Sequence, residues 1–184
     1  MPERPYLSDE NYLRKLEEYY KKLEEAEKFL ENYEALLIVG GSGPIVDMVN
    51  NQRLHDIILY FYKKNKLITA ECYGVACLAF ARDMRERKSI IEGKHVTGHP
   101  IEYDYKDGTG FLNTNLNMGP PPYPLEYILR DAVGKKGQYH GNVGNRTSVI
   151  ADYPFITSRS TASSYLCGEI MVEVLKNGLR KYGW

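Results

Sequence analysis

The chain has 184 residues, and its 24 basic side chains balance its 24 acidic ones, so the formal net charge is zero. A neutral chain lacks the positive surface that attracts phosphate backbones or anionic lipids, so neither nucleic acid nor a membrane is predicted as a partner. Hydrophobic residues make up 43% of the chain, which is enough for one core of ordinary size. The three cysteines, Cys72, Cys77 and Cys167, contain no CxxC pair, and no metal is predicted. Free thiols and the absence of an apolar signal-peptide core at the start predict a cytoplasmic protein.

The first half of the chain alternates strand and helix patterns. Charged and apolar residues over 8–31 follow the spacing of an amphipathic surface helix. The run 35–39 is apolar on both faces, as a buried parallel strand requires, and it ends in a glycine-rich turn. A helical pattern over 51–64 leads to a second buried strand, 67–70, which runs through a sharp turn into an apolar helix over 75–81. This order of strand, helix, strand and helix predicts an α/β fold with a parallel sheet.

The second half carries weaker patterns. We expect a turn and strand centred on 95–97, an irregular loop over 106–121 and a short helix over 124–133, followed by a hairpin that pairs 148–151 with 155–157 and a final helix over 161–176. No repeat or domain boundary interrupts these patterns. The prediction is therefore a single domain over 1–184, with an N-terminal helix at 8–31 and a core at 32–176.

Cys72 lies where the second predicted strand turns into a helix. A residue at such a turn is lifted above the carboxyl ends of the strands, and Gly74 relieves the crowding of the turn, as in a nucleophile elbow. The amino end of the following helix favours a thiolate. The backbone amides of Tyr73 and Gly41 are candidates for holding an oxyanion. The alternative is that Cys72 is a small buried hydrophobic residue, which is a common fate of cysteine.

Five segments, in the same order, resemble motifs of the ThiJ/PfpI superfamily. They are the strand and GGxGP turn at 34–44, the A-x-C-x-G elbow at 70–74, the G-K-x-V-T-G strand at 93–98, the P-x-L-E helix start at 124–126 and the closing I-T-G-x-x-x-A-S segment at 156–163. Ordered matches are more specific than any single motif. The resemblance covers about residues 31–176. It implies a flavodoxin-like α/β sandwich with Cys72 as nucleophile and the Gly41 and Tyr73 amides as the oxyanion site.

The chain departs from this superfamily at three points. Tyr73 stands where glyoxalase-like and peptidase-like members carry a histidine. Glu71 occupies a position that is usually apolar, and the first strand, helix and strand of the superfamily have no counterpart here. Without that unit the strand 35–39 becomes a bare apolar edge. We therefore expect a second polypeptide, either a separate small subunit or a cleaved N-terminal piece, or else another copy of this chain, to complete the sheet. The second polypeptide is also a candidate source of the acid.

Four further residues are candidates for the same site. His99 follows the strand at 95–98 and is either the general base or a residue that caps the loop. Glu71 is either a stand-in for the absent acid or a paired structural carboxylate, since alternation along a strand points it away from Cys72. Glu102 is expected to orient His99 or to line the substrate pocket. Arg159, at the junction of the last strand and helix, either binds a substrate carboxylate or forms a surface ion pair.

These residues predict an enzyme in which the Cys72 thiolate adds to a small electrophile. A hydratase or hydrolase is favoured over a glyoxalase-like lyase, because no histidine follows the cysteine, and no organic cofactor is needed. The alternative is a non-catalytic member, either a thiol sensor, a chaperone-like protein or a scaffold subunit.

Overall fold

The computed structural model describes residues 9–106, 124–141 and 148–178. These divide into two compact units, one that ends at Tyr33 and one that begins at Glu34. In the first unit, α1 spans Glu10–Glu27, and the Asp9 side chain caps it by accepting a hydrogen bond from the backbone N–H of Tyr12 at 3.0 Å. None of the residues of α1 is buried. A single 3-10 turn, Leu30–Asn32, follows the helix. The predicted helix at 8–31 corresponds to these two elements.

The second unit is built on a four-stranded sheet. Its strands are β1 (Ala35–Ile38), β2 (Leu67–Glu71), β5 (Val149–Asp152) and β6 (Phe155–Ser158), in the order β1-β2-β6-β5. β2 pairs in parallel with β1 and with β6, whereas β5 and β6 form an antiparallel hairpin. The predicted strands and hairpin are confirmed, and the sheet is mixed but mostly parallel.

Helices cover both faces of this sheet. Phe155 stacks on Tyr62 of α2 (Gln52–Lys63), with ring centroids 5.9 Å apart. The next residue, Ile156, packs in a buried cluster with Cys167 and Val174 of α6 (Ser164–Asn177). Because successive strand residues point to opposite faces, α2 and α6 lie on opposite sides of the sheet. This arrangement confirms the predicted α/β sandwich.

The remaining elements lie between β2 and β5 in the chain. A 3-10 turn, Cys72–Val75, continues directly into α3 (Ala76–Phe80). A two-stranded parallel sheet joins β3 (His95–Val96) to β4 (Gln138–Tyr139), with α5 (Leu125–Val133) between them in the chain. One helix was not predicted: α4 spans Ile101–Lys106, where the sequence suggested strand and loop. Much of the predicted loop 106–121 lies outside the described residues. Within the described ranges, no helix has both the length and the apolar character that crossing a membrane requires.

Gly40, in the turn after β1, packs tightly against Glu71 and Cys72 at the end of β2. A Cβ placed on Gly40 would lie 2.7 Å from the Cys72 Cβ and 2.7 Å from the Glu71 carbonyl oxygen. No real Cβ approaches a backbone oxygen so closely, so a larger residue forces the two strand ends apart.

We expect Gly40→Ala to destabilise the fold by about 1–3 kcal/mol, the usual range for overpacking. Gly43→Ala is the matched control, because a Cβ there meets no heavy atom within 4 Å and the backbone is already helical, with φ −51°. Urea unfolding measures both. Equal midpoints for the two variants would show that the turn does not pack on β2 as described.

Candidate active site

Cys72 adopts a backbone conformation that side chains rarely take. Its φ is +51°, in the left-handed region, at the point where β2 passes into the 3-10 turn. For a residue other than glycine this costs about 1–2 kcal/mol. Neighbouring backbone holds the turn, since a Cβ on Gly74 would lie 2.9 Å from the carbonyl oxygen of Ile38. Such strain is typical of residues that the surrounding fold forces into position.

The Cys72 thiol meets an imidazole that comes from a distant part of the chain. Its Sγ lies 3.4 Å from Nδ1 of His99, in the turn between β3 and α4. The other ring nitrogen of His99, Nε2, lies 3.1 Å from Oδ1 of Asp104 on α4. The Cys72 residue and the His99 and Asp104 side chains are all largely or completely shielded from solvent. Sulfur, imidazole and carboxylate therefore form one continuous line of contacts.

Two tyrosines fix the His99 ring in this line. The Tyr73 ring stacks on it, with centroids 4.3 Å apart and an interplanar angle of 26°, and the Tyr73 hydroxyl donates a hydrogen bond to Asp104 Oδ1. The Tyr103 ring meets His99 edge-on, with centroids 5.6 Å apart. Burial, followed by the bond to Asp104, raises the pKa of Tyr73 far above its ordinary value. Tyr73 therefore stays a neutral donor to the carboxylate.

The electrostatics of the line favour a charged His99. Burial alone lowers the pKa of His99, but the hydrogen bonds to Asp104 and Cys72, together with their negative charge, outweigh burial and raise this pKa to about 9. The imidazole is therefore protonated near neutral pH, directly opposite the Cys72 sulfur. An adjacent imidazolium is the usual means of activating a cysteine.

The other two thiols lie in a different environment. Burial, aided by the charge of Asp47, raises the pKa of Cys77 to about 12. Burial also raises the pKa of Cys167 to about 11; it outweighs a hydrogen bond with Ser158 that lowers this pKa, and the charge of Glu71 adds a smaller increase. Both groups stay protonated thiols at neutral pH, as expected for cysteines that serve packing.

Glu71 points away from the line of contacts. Its carboxylate accepts a hydrogen bond from the Ser164 hydroxyl at 3.4 Å and interacts with the Cys167 thiol, both on α6. The structure therefore brings Cys72, Tyr73 and His99 together and leaves the Glu71 carboxylate at the α6 side of the sheet. Alternation along β2 is the reason, since Glu71 and Cys72 are consecutive.

The remaining predicted residues lie around the same end of the sheet. Gly41, with φ +85°, follows the glycine that packs on Cys72. Glu102 is half-buried on α4. Arg159 follows β6 and has no exposed surface at all, which excludes the surface ion pair considered for it. No three His, Cys, Asp or Glu side chains converge as a metal site would require, as far as the described part of the chain extends.

Asp104 is the site residue that sequence reasoning missed. The carboxylate expected to orient His99 was that of Glu102, but the structure places Asp104 on Nε2, two residues later. One signal was present: Pro100 followed by acidic residues is typical of a helix start, and a helix there gives the carboxylates fixed directions.

The model of a family described as ThiJ/PfpI family-like matches residues 3–107. The chain is 26% identical over 144 residues to the protein/nucleic acid deglycase HchA of Pseudomonas aeruginosa, covering 78% of this chain and 47% of that protein.

Solved structures match over a similar share. The 24 kDa Rapid Encystment Protein of Francisella tularensis is 28% identical with a TM-score of 0.65, over 77% of this chain and 58% of that one. Glyoxalase III of Candida albicans is 19% identical with a TM-score of 0.61, over 78% and 57%. The chain thus spans about half to three fifths of the length of the proteins it matches.

We expect the His99 imidazole to titrate near pH 9 in the folded protein. Histidine NMR signals followed through the alkaline range measure this, and the signal lost in His99→Gln identifies the residue. Asp104→Asn should lower the midpoint, because it removes the carboxylate that stabilises the charge. A wild-type midpoint near the ordinary value of 6.5, unchanged by Asp104→Asn, would contradict the described contacts.

The same shift has a consequence for stability, whose sign follows from linkage. The pKa of His99 is higher in the folded state than in the unfolded chain. Its contribution to the free energy of unfolding is therefore complete below about pH 6.5 and is lost as the pH rises through about 9. The stability advantage of the wild type over His99→Gln should shrink over that interval.

Proposed function

The chain belongs to the ThiJ/PfpI family, and from that premise we propose that it is a cysteine-dependent enzyme acting on a small reactive carbonyl compound. One observation carries this proposal: Cys72 Sγ lies 3.4 Å from a histidine whose far side is held by a buried carboxylate. A nucleophile, a base in contact with it and a group that orients the base are the parts that nucleophilic catalysis requires. The names of the deglycase and glyoxalase III relatives favour an enzyme as well.

The first chemical step follows from the charges at the site. In the proposed reactive state Cys72 is a thiolate beside the His99 imidazolium, the charge state that the contacts of His99 favour. The sulfur then attacks the carbonyl carbon of an aldehyde, a C–S bond forms, and the π electrons of the C=O group move to oxygen. The resulting alkoxide takes the proton from His99 Nδ1, and the product of this step is a hemithioacetal on Cys72. Proton transfer by a positioned side chain contributes about 10²–10⁴-fold to such rates.

Backbone amides are proposed to hold the developing oxyanion. Tyr73 N–H lies in the turn that follows Cys72, and Gly41 is in the turn that packs beside it. Amides in such turns are already oriented before reaction, so their contribution carries no reorganisation cost. The Gly41 and Tyr73 amides therefore remain the proposed oxyanion site.

For a 2-oxoaldehyde the hemithioacetal leads to a hydroxy acid. His99, neutral after protonating the alkoxide, is placed to remove the proton from the former aldehyde carbon. The electron pair moves to the neighbouring carbonyl oxygen and gives an enediol. A proton then returns to the former ketone carbon while the hydroxyl beside the sulfur loses its proton and becomes C=O, which yields a thioester. Water then cleaves the C–S bond and regenerates the Cys72 thiol. In this scheme His99 performs the proton transfers for which Glu71 was also considered, and the contact of Glu71 with Ser164 favours His99.

We expect Cys72→Ser to abolish consumption of methylglyoxal and His99→Gln to lower kcat by about 10²–10⁴-fold. Cys167→Ala is the control, since that thiol lies on α6, is buried against the sheet and takes no part in the chemistry; it should keep the wild-type rate. If wild type and Cys72→Ser were equally inactive while Cys72 still reacted rapidly with iodoacetamide, a thiol sensor would replace the enzyme proposal.

We also propose that a strand of a second polypeptide pairs with β1. Among the described strands β1 is outermost in its sheet, and the side chains of Leu37 and Val39 are 45% and 62% exposed. An apolar strand edge of this kind is a template for pairing.

Native mass spectrometry of the protein from its own source tests this pairing. We expect a complex that contains a different, smaller chain, and Leu37→Lys should weaken it, whereas Tyr165→Lys on the highly exposed start of α6 should not. A complex made only of copies of this chain would assign the β1 edge to self-association instead, and a monomer would refute the proposal.

A further inference from the structure

Arg159 is a buried cation without a counter-ion. Its exposed fraction is 0%, and its Nε, Nη1 and Nη2 atoms have no hydrogen-bond partner among the described residues. The guanidinium Cζ lies 5.8 Å from the centroid of the Tyr103 ring. A buried charge without a partner costs several kcal/mol, so natural cores rarely keep one.

The register of the sheet places Arg159 beside Cys72. Glu71 on β2 and Ser158 on β6 are register partners in a parallel pair. Cys72 and Arg159 are therefore the next residues along two neighbouring strands, which run about 4.8 Å apart. Both lie at the carboxyl ends of the strands, the end where open α/β sheets bind their ligands.

Tyr103 connects Arg159 to the rest of the site. Its ring contacts the Arg159 guanidinium on one side and the edge of His99 on another. A ligand in contact with Cys72 and His99 is therefore separated from the Arg159 guanidinium by the Tyr103 side chain. Because Arg159 has no exposed surface, such a ligand must displace the Tyr103 ring or take its place over the guanidinium.

Asp104, the carboxylate in contact with His99, is not the partner of this cation. Its Oδ2 is also buried without a partner, yet no hydrogen bond joins it to Arg159. Its other oxygen, Oδ1, already accepts from His99 and Tyr73. The anion that completes Arg159 is therefore absent from the described protein groups.

Resting on the proposed function, we infer that Arg159 binds the carboxylate of the substrate, and that the substrate is a small aldehyde or ketone with a carboxylate next to its carbonyl carbon. The planar guanidinium matches a carboxylate in a two-point, bidentate contact. The carboxylate fixes the adjacent carbonyl carbon over the Cys72 sulfur, one strand away. At the step in which the Cys72 sulfur adds to the carbonyl carbon, this arrangement favours 2-oxo acids over neutral aldehydes of the same size.

The anion site is tested first with ligands that cannot react with a thiol. Glycolate carries the carboxylate, and ethylene glycol is its neutral match. We expect glycolate to raise the Tm of the wild type, because a ligand of the folded state stabilises it, and ethylene glycol to have no effect. Arg159→Met should weaken glycolate binding by about 10- to 100-fold, the range of a charged hydrogen bond.

The substrate class is tested with two aldehydes of similar size. Glyoxylate carries the carboxylate and glycolaldehyde does not. In the wild type we expect glyoxylate to protect Cys72 from iodoacetamide at a concentration about 10-fold or more below that of glycolaldehyde. Arg159→Met should remove that difference and leave protection by glycolaldehyde unchanged.

The outcomes separate this inference from the proposed function. If glycolate binds through Arg159 but neither aldehyde protects Cys72, the anion site stands and the carbonyl chemistry is wrong. If both aldehydes protect Cys72 equally, or if glycolate stabilises Arg159→Met as well as the wild type, the carboxylate assignment is overturned. Stronger stabilisation by inorganic phosphate than by glycolate would replace the carboxylate by a phosphoryl group.

Folding of the variant is checked by urea unfolding. Arg159→Met removes an unpaired buried charge and keeps a similar volume, so its midpoint should equal or exceed that of the wild type. Arg159→Lys provides a second test should the methionine variant not fold. Lysine keeps the charge but lacks the paired N–H donors of the guanidinium that allow a bidentate contact. Glycolate should therefore bind this variant more weakly than the wild type.

Discussion

The left-handed turn at Cys72 is the constraint on which the rest of the site depends. It points the thiol away from the sheet at the carboxyl end of β2. Two glycines, Gly40 and Gly74, allow the backbone on either side of this turn to pack closely. Gly40 lets the β1 turn lie against the Cys72 Cβ, and Gly74 lets the following turn lie against the Ile38 carbonyl oxygen. The strain at Cys72, about 1–2 kcal/mol, is therefore supported by packing that also fixes the distance between two strand ends.

The strained thiol in turn depends on a charged group brought from elsewhere in the chain. His99 is protonated only because Asp104 and Cys72 outweigh its burial. Asp104, nearly inaccessible on α4, has His99 and Tyr73 as its partners. Each member of this network is therefore tolerated in its buried position because the adjacent member provides a hydrogen bond or an opposite charge. Removing one partner leaves an uncompensated buried charge, so the effects of single substitutions should not add.

Most of the fold, but only part of the site, was predictable from the sequence. The strands at 35–38 and 67–71 are continuous apolar runs, and short buried strands of this kind show in a sequence without tertiary information. Cys72 and His99 were found by their positions after strands. Asp104 was missed because α4 is a six-residue helix whose residues, IEYDYK, show no apolar periodicity. A helix of that length is determined by its surroundings and not by local propensity.

Arg159 shows why burial cannot be read from residue type alone. Arginine is almost never fully buried unless it is paired, so the sequence favoured an exposed ion pair as readily as a binding role. Its burial results from the register of β2 and β6, which places it beside Cys72 and beneath the aromatic ring of Tyr103. That position lowers stability, and replacing the arginine by an apolar residue should not impair folding. A charge kept where it opposes stability, beside a strained thiol and a charged imidazole, is better explained by a ligand than by the fold.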